Sequence, residues 1–298
     1  MQHDDHTRLF MQHRPVLRRL AYRMLSCVSL AEDAVQETWL RWHSADVTQI
    51  ESAKAWLITT LSRICIDELR RLKREQSVYV GPWLPEPIFT EDEAPDPADI
   101  LARDASIAMA LLVLMERLSP EERAAYLLQE VFENDYKSIA VTLGKAEVNC
   151  RQLVHRARVR IEEGKTRFTA PTQLKNELLA KFASACLSGD LSALIATLAP
   201  DVNLVSDGGG VVKAANKPVY GVRAVSRLVM GIRKTIGTGY YALLKRINDE
   251  FGIVGYAPDG RIEYAMTFAL SEQGVTSIFV VNNPVKLRQL DSGWLGPP

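Results

Sequence analysis

The stretch YKSIAVTLGKAEVNCRQLVHRARVRI, residues 136–161, decides how the N-terminal half of this 298-residue chain is read. Apolar residues recur at helical spacing over Tyr136 to Leu143 and again over Ala146 to Ile161, with Gly144-Lys145 between the two runs. A glycine at that point accommodates the positive φ of a tight turn, so the pattern predicts helix, turn, helix. The second helix is basic. Asn149, Arg151 and Gln152 fall in its early turns, the part of a recognition helix that enters the major groove, and His155, Arg156, Arg158 and Arg160 follow. Arginine or asparagine there can make paired hydrogen bonds to base edges, while arginines farther along can hold phosphates. The plain alternative is a solvated helix face.

Upstream, Ser119-Pro120-Glu121-Glu122 reads as a capping box with proline at the first helical position, and helical spacing runs from about Arg103 to about Arg167. Residues 77–104 differ in character: Gly81, Pro82, Pro85, Pro87, Pro95 and Pro97 stand among seven acidic side chains and a single basic one, Arg103, which predicts an extended tether. Before it, helical spacing recurs through Leu17, Leu20, Ala21 and Met24, then Val35, Thr38, Trp39 and Trp42, then Trp56, Leu57, Leu61, Ile64 and Leu69. That predicts a bundle of three or four helices, the second opened by the capping string Ser29-Leu30-Ala31-Glu32. Asp33, Gln36 and Glu37 form a stripe opposite Val35, Trp39 and Trp42, either a wet face or a protein-docking surface. The last helix carries Arg63, Asp67, Arg70, Arg71, Lys73 and Arg74 after Trp56. Aromatic and basic groups together suit single-stranded DNA, although Trp56 beside Leu57 and Leu61 also reads as core.

Past Thr169-Ala170-Pro171 the period changes. Gln173 to Leu187, Leu191 to Leu198 and Val222 to Ile236 read as helices. Val202 to Ser206, Tyr240 to Ile247, Gly252 to Ala257, Ile262 to Leu270 and Val275 to Val281 read as strands, separated by turn formers such as Pro258-Asp259-Gly260. Helices followed by antiparallel strands predict an α+β domain, a curved sheet wrapped over helices into a cone.

Composition sets the frame. The net formal charge is zero and 47% of residues are apolar, as in an ordinary globular protein. The zero hides the acidic tether and a basic segment, residues 145–167, with seven basic side chains against three acidic. Cys27, Cys65, Cys150 and Cys186 lie far apart without ligand spacing and read as buried free thiols. No apolar run approaches the ~20 residues of a membrane span, and the first residues lack a signal-peptide plan, so no membrane partner and a cytoplasmic location are expected.

Three segments carry a family resemblance. AEDAVQETW, residues 31–39, resembles the polymerase-binding helix of sigma region 2. Trp56-Leu57 with SRICIDELRR, residues 62–71, resembles its promoter-melting helix. LSPEER, residues 118–123, through QLVHRAR, residues 152–158, resembles region 4. The chain is similar to an extracytoplasmic-function sigma factor. Three further strings, Trp83-Leu84-Pro85-Glu86-Pro87, Asp207-Gly208-Gly209-Gly210 and Asn283-Pro284-Val285-Lys286-Leu287, are similar to those of the group with a C-terminal SnoaL-like domain, which has the fold of nuclear transport factor two.

The resemblance implies a multidomain fold: region 2 over 1–76, linker over 77–104, region 4 over 105–169, and an α+β regulatory domain over 172–298. It implies core RNA polymerase (β′ clamp and β flap) and promoter DNA as partners. Asp33, Gln36 and Glu37 would meet the clamp helices. Ser44 to Ala55 with Trp56, Arg63, Asp67 and Arg70 would handle the opened −10 element, and Asn149, Arg151, His155, Arg156 and Arg158 the −35 element. Two positions depart from the family pattern. Lys137-Ser138 replaces an acidic residue before Ile139, and Val285 replaces an aspartate, which removes a carboxylate from the terminal motif.

The C-terminal domain admits three readings. As an isomerase or cyclase it would use Asp and Tyr in an apolar cavity, and Asp201, Asp207, Asp249, Tyr240, Tyr241 and Tyr264 supply the types, but no histidine follows His155. As a sensor it would take an unknown small ligand, in the extreme case within a repressor that never meets polymerase. As a clasp it would bind its own linker: prolines preset an extended segment with Trp83 as apolar anchor, the glycines Gly208, Gly209 and Gly210 let another backbone approach, and Asp207 accepts amide hydrogen bonds. We expect the clasp, with Trp83, Pro85 and Glu86 meeting Asp207 to Gly210 and Asn283, Pro284, Lys286 and Leu287. No catalytic, metal or cofactor-binding residue is expected.

Overall fold

The computed structural model describes residues 2–90, 108–165, 171–235, 238–288 and 290. Part of the acidic tether and the expected helix start near Arg103 lie outside them. Three helices open the chain: α1 (Gln2–Leu25), α2 (Val28–His43) and α3 (Ala53–Gln76). The stretch between α2 and α3 contains one 3-10 turn, Val47–Gln49, and Ser52 caps α3 by accepting the Ala55 N–H. The capping box expected at Ser29 is not formed. Helix α2 begins earlier, at Val28, its cap residue Cys27 offers no side-chain bond, and Glu32 turns instead to Arg14 and Arg18.

Helices α4 (Met109–Met115), α5 (Pro120–Glu130), α6 (Tyr136–Leu143) and α7 (Glu147–Lys165) follow. Here the local rules hold. Ser119 and Glu122 exchange reciprocal cap bonds, and Gly144, at φ +62°, ends α6 in the left-handed region. The two helical modules are not bundles held apart by a tether. Leu20, Leu57, Leu61 and Leu69 share one buried core with Leu112, Leu127, Ile139, Val154 and Ile161.

The C-terminal domain is built from α8 (Thr172–Ser188), α9 (Leu191–Ala196), α10 (Val222–Thr235) and a six-stranded sheet in the order β2-β1-β6-β5-β4-β3. Its strands are β1 (Leu198–Asp207), β2 (Val219–Tyr220), β3 (Tyr241–Ile247), β4 (Glu250–Tyr256), β5 (Ile262–Ser271) and β6 (Gly274–Val281). The sheet is mixed, which corrects the all-antiparallel expectation: β1 and β6 run parallel, and every residue of β6 is buried. A strand covered on both faces needs two layers. Phe182, Val225, Phe268 and Ile278 fill the layer beneath the helices. On the other face Val254, Ala265, Phe279 and Leu287 pack against Leu84 of the linker and Met109 and Ala110 at the start of the second helical module. The domain therefore completes its core with residues from the N-terminal half.

Candidate nucleic-acid interface and interdomain joint

On α2, Asp33 and Gln36 are exposed and Glu37 is half-buried and paired with Arg41 at 2.8 Å, so the stripe faces outward. On α7, Asn149, Arg151, His155, Arg156 and Arg158 are all exposed, opposite the buried Cys150, Leu153, Val154 and Ala157. Arg151 lies over the Tyr136 ring at 5.1 Å. Arg156 donates to Glu122 at 3.0 Å and is still 52% exposed; Arg160 reaches the same carboxylate, and Arg158 pairs with Glu130. Glu122 thus orients two arginines of the basic helix from α5, a role the capping motif alone did not reveal.

Helix α3 is engaged by region 4. Arg63 donates to the backbone carbonyls of Thr142 at 3.0 Å and Val141 at 2.6 Å, the end of α6, where the helix dipole is negative. Thr59 and Thr142 hydroxyls meet at 3.1 Å, and Arg70 bridges Asp67 and Glu121. Trp56 is half-buried and packs against Trp42, ring centroids 5.4 Å apart, so its core reading is the one realised here. Lys73 reaches the Leu118 carbonyl at 2.7 Å.

Residues 77–90 run between region 2 and the C-terminal sheet. Asp207, fully buried at the end of β1, is the centre of the contact. Its carboxylate accepts from the Tyr79 hydroxyl at 2.6 Å, the Leu84 N–H at 2.9 Å, the Gly209 N–H at 3.1 Å and the Lys286 ammonium at 2.7 Å. Lys286 also donates to the Leu84 carbonyl and stands 3.4 Å above the Trp83 ring. Burial lowers the Lys286 pKa, with Asp207 pulling the other way, and burial with the Asp207 contact drives the Tyr79 hydroxyl up. Asn283 donates to the Tyr79 hydroxyl at 2.9 Å while its carbonyl caps the short helix α11 (Pro284–Leu287), which places Lys286 and the buried Leu287.

The glycine string admits a backbone oxygen at Gly208, but of its own loop and not of the linker, and side chains at Gly209 and Gly210. At Gly209, φ +64°, an added Cβ would lie 2.3 Å from Asn283 Nδ2, and one at Gly210 would press on Val80; Gly208 faces Val212 of its own loop. Val285 is 57% exposed and outside the joint, whose buried carboxylate is that of Asp207. Trp83 is only half-buried; Leu84 and Ile88 are the buried anchors, and Pro85 is buried between them.

Glu86 faces the other way. Its carboxylate accepts the Val28 N–H at 2.7 Å and so caps α2 from 58 residues away, its carbonyl accepts the Tyr22 hydroxyl at 2.6 Å, and its N–H donates to the Ser26 carbonyl at 2.9 Å. Burial raises the Glu86 pKa, and the Val28 amide opposes that rise. Ser26, buried at φ +54°, also receives the Arg123 guanidinium from α5. Asn248, in the two-residue β3–β4 turn, donates to the Tyr22 hydroxyl at 2.6 Å, accepts the Ile88 N–H at 3.3 Å and donates its own N–H to the Ile88 carbonyl at 3.0 Å. Phe89 then forms a β-bridge with Ile247. Region 2, region 4, linker and C-terminal domain meet around Tyr22, Ser26, Glu86 and Asn248.

The residue types of the enzyme reading are dispersed. Asp207 is taken by the linker, Asp201, Asp249, Tyr240 and Tyr241 are exposed, and Tyr264 is half-buried on β5. The four cysteines are free, and burial raises Cys27 to about 11. Among the described residues no helix is long and apolar enough to cross a membrane.

An outward-facing helix-turn-helix and a second helical module bearing a basic helix are joined on one core, the arrangement of a DNA-binding protein with two helical modules. The sigma-70 region 2 family model matches residues 9–75 and the sigma-70 region 4 model residues 108–161. The chain is 35% identical over 242 residues to the ECF RNA polymerase sigma factor SigJ of Mycobacterium tuberculosis, covering 80% of this chain and 77% of that protein. It is 36% identical over 203 residues to the probable ECF RNA polymerase sigma factor SigI of the same species, covering 67% and 69%. The crystal structure of M. tuberculosis SigJ matches with a TM-score of 0.76 at 31% identity, over 95% of this chain and 98% of that one, so the likeness includes the C-terminal domain. This chain belongs to the extracytoplasmic-function RNA polymerase sigma factors.

Proposed function

We propose that the protein docks on core RNA polymerase through Asp33, Gln36 and Glu37 on the β′ clamp and through region 4 on the β flap, and directs it to two-part promoters. Asn149, Arg151, His155, Arg156 and Arg158 read and hold the −35 element. The 44–55 segment with Trp56, Arg63, Asp67 and Arg70 handles the opened −10 strand. The joined arrangement of the two modules is the resting form, and the C-terminal domain governs it in cis by holding the linker. The observation that carries this reading is Arg63: a side chain of the promoter-melting helix is bound to the end of α6, so region 4 and an opened strand compete for it. The dispersal of Asp and Tyr favours a regulatory over a catalytic C-terminal domain.

Reconstituted transcription with core polymerase tests the reading, comparing the full chain with Gly209→Val and with Arg63→Ala on templates selected from a random-sequence pool. The expected result is initiation dependent on this chain, altered by Gly209→Val and reduced by Arg63→Ala. Failure of every template to support initiation would overturn it.

A further inference from the structure

Residues 208–235 contain six lysines and arginines, Lys213, Lys217, Arg223, Arg227, Arg233 and Lys234, and no aspartate or glutamate, in a chain whose 36 basic and 36 acidic residues balance. The segment spans the loop after β1, the edge strand β2 and helix α10. Lys213, Lys217, Arg223 and Arg227 are exposed, and among the described residues their side chains have no ion-pair or hydrogen-bond partner. That sets them apart from Arg63, Arg70, Arg156 and Arg158, each of which has a carboxylate or carbonyl to hold.

Helix stability does not account for the charges. Val225 and Val229 form the buried face of α10, so Arg223 and Arg227 stand one turn apart on the outer face, where like charges repel. Arg223 also lies in the first turn, at the positive end of the helix dipole, where an acidic residue would be favoured. Protection of an edge strand by charge explains Lys217 at most. The loop is seated beside the linker, with Gly210 against Val80 and Asn216 near Gly81, just after the basic end of α3 with Lys73 and Arg74.

We infer that this face of the C-terminal domain binds the phosphate backbone of duplex DNA, independently of sequence. Uncompensated guanidinium and ammonium groups on a segment without acids suit a dense polyanion, and the inference rests on the promoter binding proposed above, which brings such a polymer to the molecule. Bound to phosphates, Lys217, Arg223 and Arg227 would release counterions and give the domain a grip on DNA that adds to the two specific elements without altering base preference.

The test is the salt dependence of affinity for a mixed-sequence duplex, measured with the full chain in complex with core polymerase, for the wild type and for Lys217→Gln, Arg223→Gln and Arg227→Gln combined. The slope of log affinity against log salt should fall by about 0.9 for each phosphate left unneutralised, up to about 2.7 for three. A control with Arg223→Lys and Arg227→Lys should keep the wild-type slope, and a shallower slope there would overturn the charge-based assignment. An unchanged slope in the glutamine variant would also overturn it, as would weakened binding to core polymerase or to anionic vesicles with DNA binding intact. If the wild-type complex initiates on no selected template, the proposed function fails instead, whatever the slopes.

Discussion

Lys286 Nζ lies 2.7 Å from Asp207 Oδ2, with the two side chains 4% and 0% exposed. Removing both charges from water costs several kcal/mol per ion, and their attraction offsets this only when the remaining hydrogen-bonding sites are filled. The linker fills them: Tyr79 and the Leu84 N–H on Asp207, the Leu84 carbonyl and the Trp83 ring on Lys286. Pair and linker therefore satisfy one another, and undocking the linker would leave both buried charges short of partners.

Asp207→Asn should destabilise the joint by about 3–5 kcal/mol, because it leaves a buried ammonium without its counter-charge. Adding Lys286→Met to that variant should recover much of the loss. Urea denaturation of the three proteins checks this, and equal midpoints for the single and double variants would contradict it.

Gly209→Val combines a left-handed φ with a Cβ overlapping Asn283, and should cost at least about 1–3 kcal/mol at that loop. The expected signature is proteolytic cleavage within 77–90 with the helical core of regions 2 and 4 unaffected. Resistance equal to wild type would mean that the loop absorbs the side chain.

Acid should loosen region 4 internally, through Glu122, and its contact with region 2, through Glu116. Burial alone would raise Glu116 and Glu122, but Arg123 holds the first below its ordinary value of 4.5, and the Ser119 amide with Arg156 and Arg160 holds the second below it. A carboxylate lowered in the folded state contributes stability above its ordinary value and loses it as pH falls through the folded value. Glu86, raised by burial, has the opposite sign: its contribution is present below 4.5 and is lost as pH rises through its raised value. Denaturation midpoints measured downward from pH 5 should fall, and Glu116→Gln should flatten the decline.

Arg156→Ala should weaken promoter binding by the polymerase complex and reduce its salt slope by about 0.9 if Arg156 neutralises one phosphate. Since Arg156 already rests on Glu122, the same change should leave Arg160 with an undivided partner and the fold intact. A slope identical to wild type would place Arg156 away from the DNA backbone.

The helix-turn-helix was legible because its signals are local: a glycine that needs positive φ, a reciprocal cap at Ser119 and Glu122, and a 3.6-residue apolar period. The clasp strings were legible as strings, and Asp207, Gly210, Asn283 and Lys286 do meet the linker. What one dimension concealed was partnership over long separations. Ser29 and Glu32 satisfied a local capping rule, yet a carboxylate from Glu86 reached the helix start first. Tyr22 and Asn248, 226 residues apart, showed no pattern at all, and the parallel pairing of β1 with β6 depends on topology, not on alternation. Leu84 gave way to its neighbour Trp83 in the sequence because size suggests an anchor, whereas burial is set by which side of the extended segment faces the sheet.

Because the first turn of α2 is completed by Glu86 rather than by a residue of its own, the surface bearing Asp33, Gln36 and Glu37 and the grip on the linker draw on a common group. If a partner on that face stiffens the turn, thermodynamic reciprocity makes attachment of residues 77–90 and affinity at the helix face change by one and the same factor. One carboxylate is thus the whole physical link between the opening turn of α2 and residues 77–90 at this point.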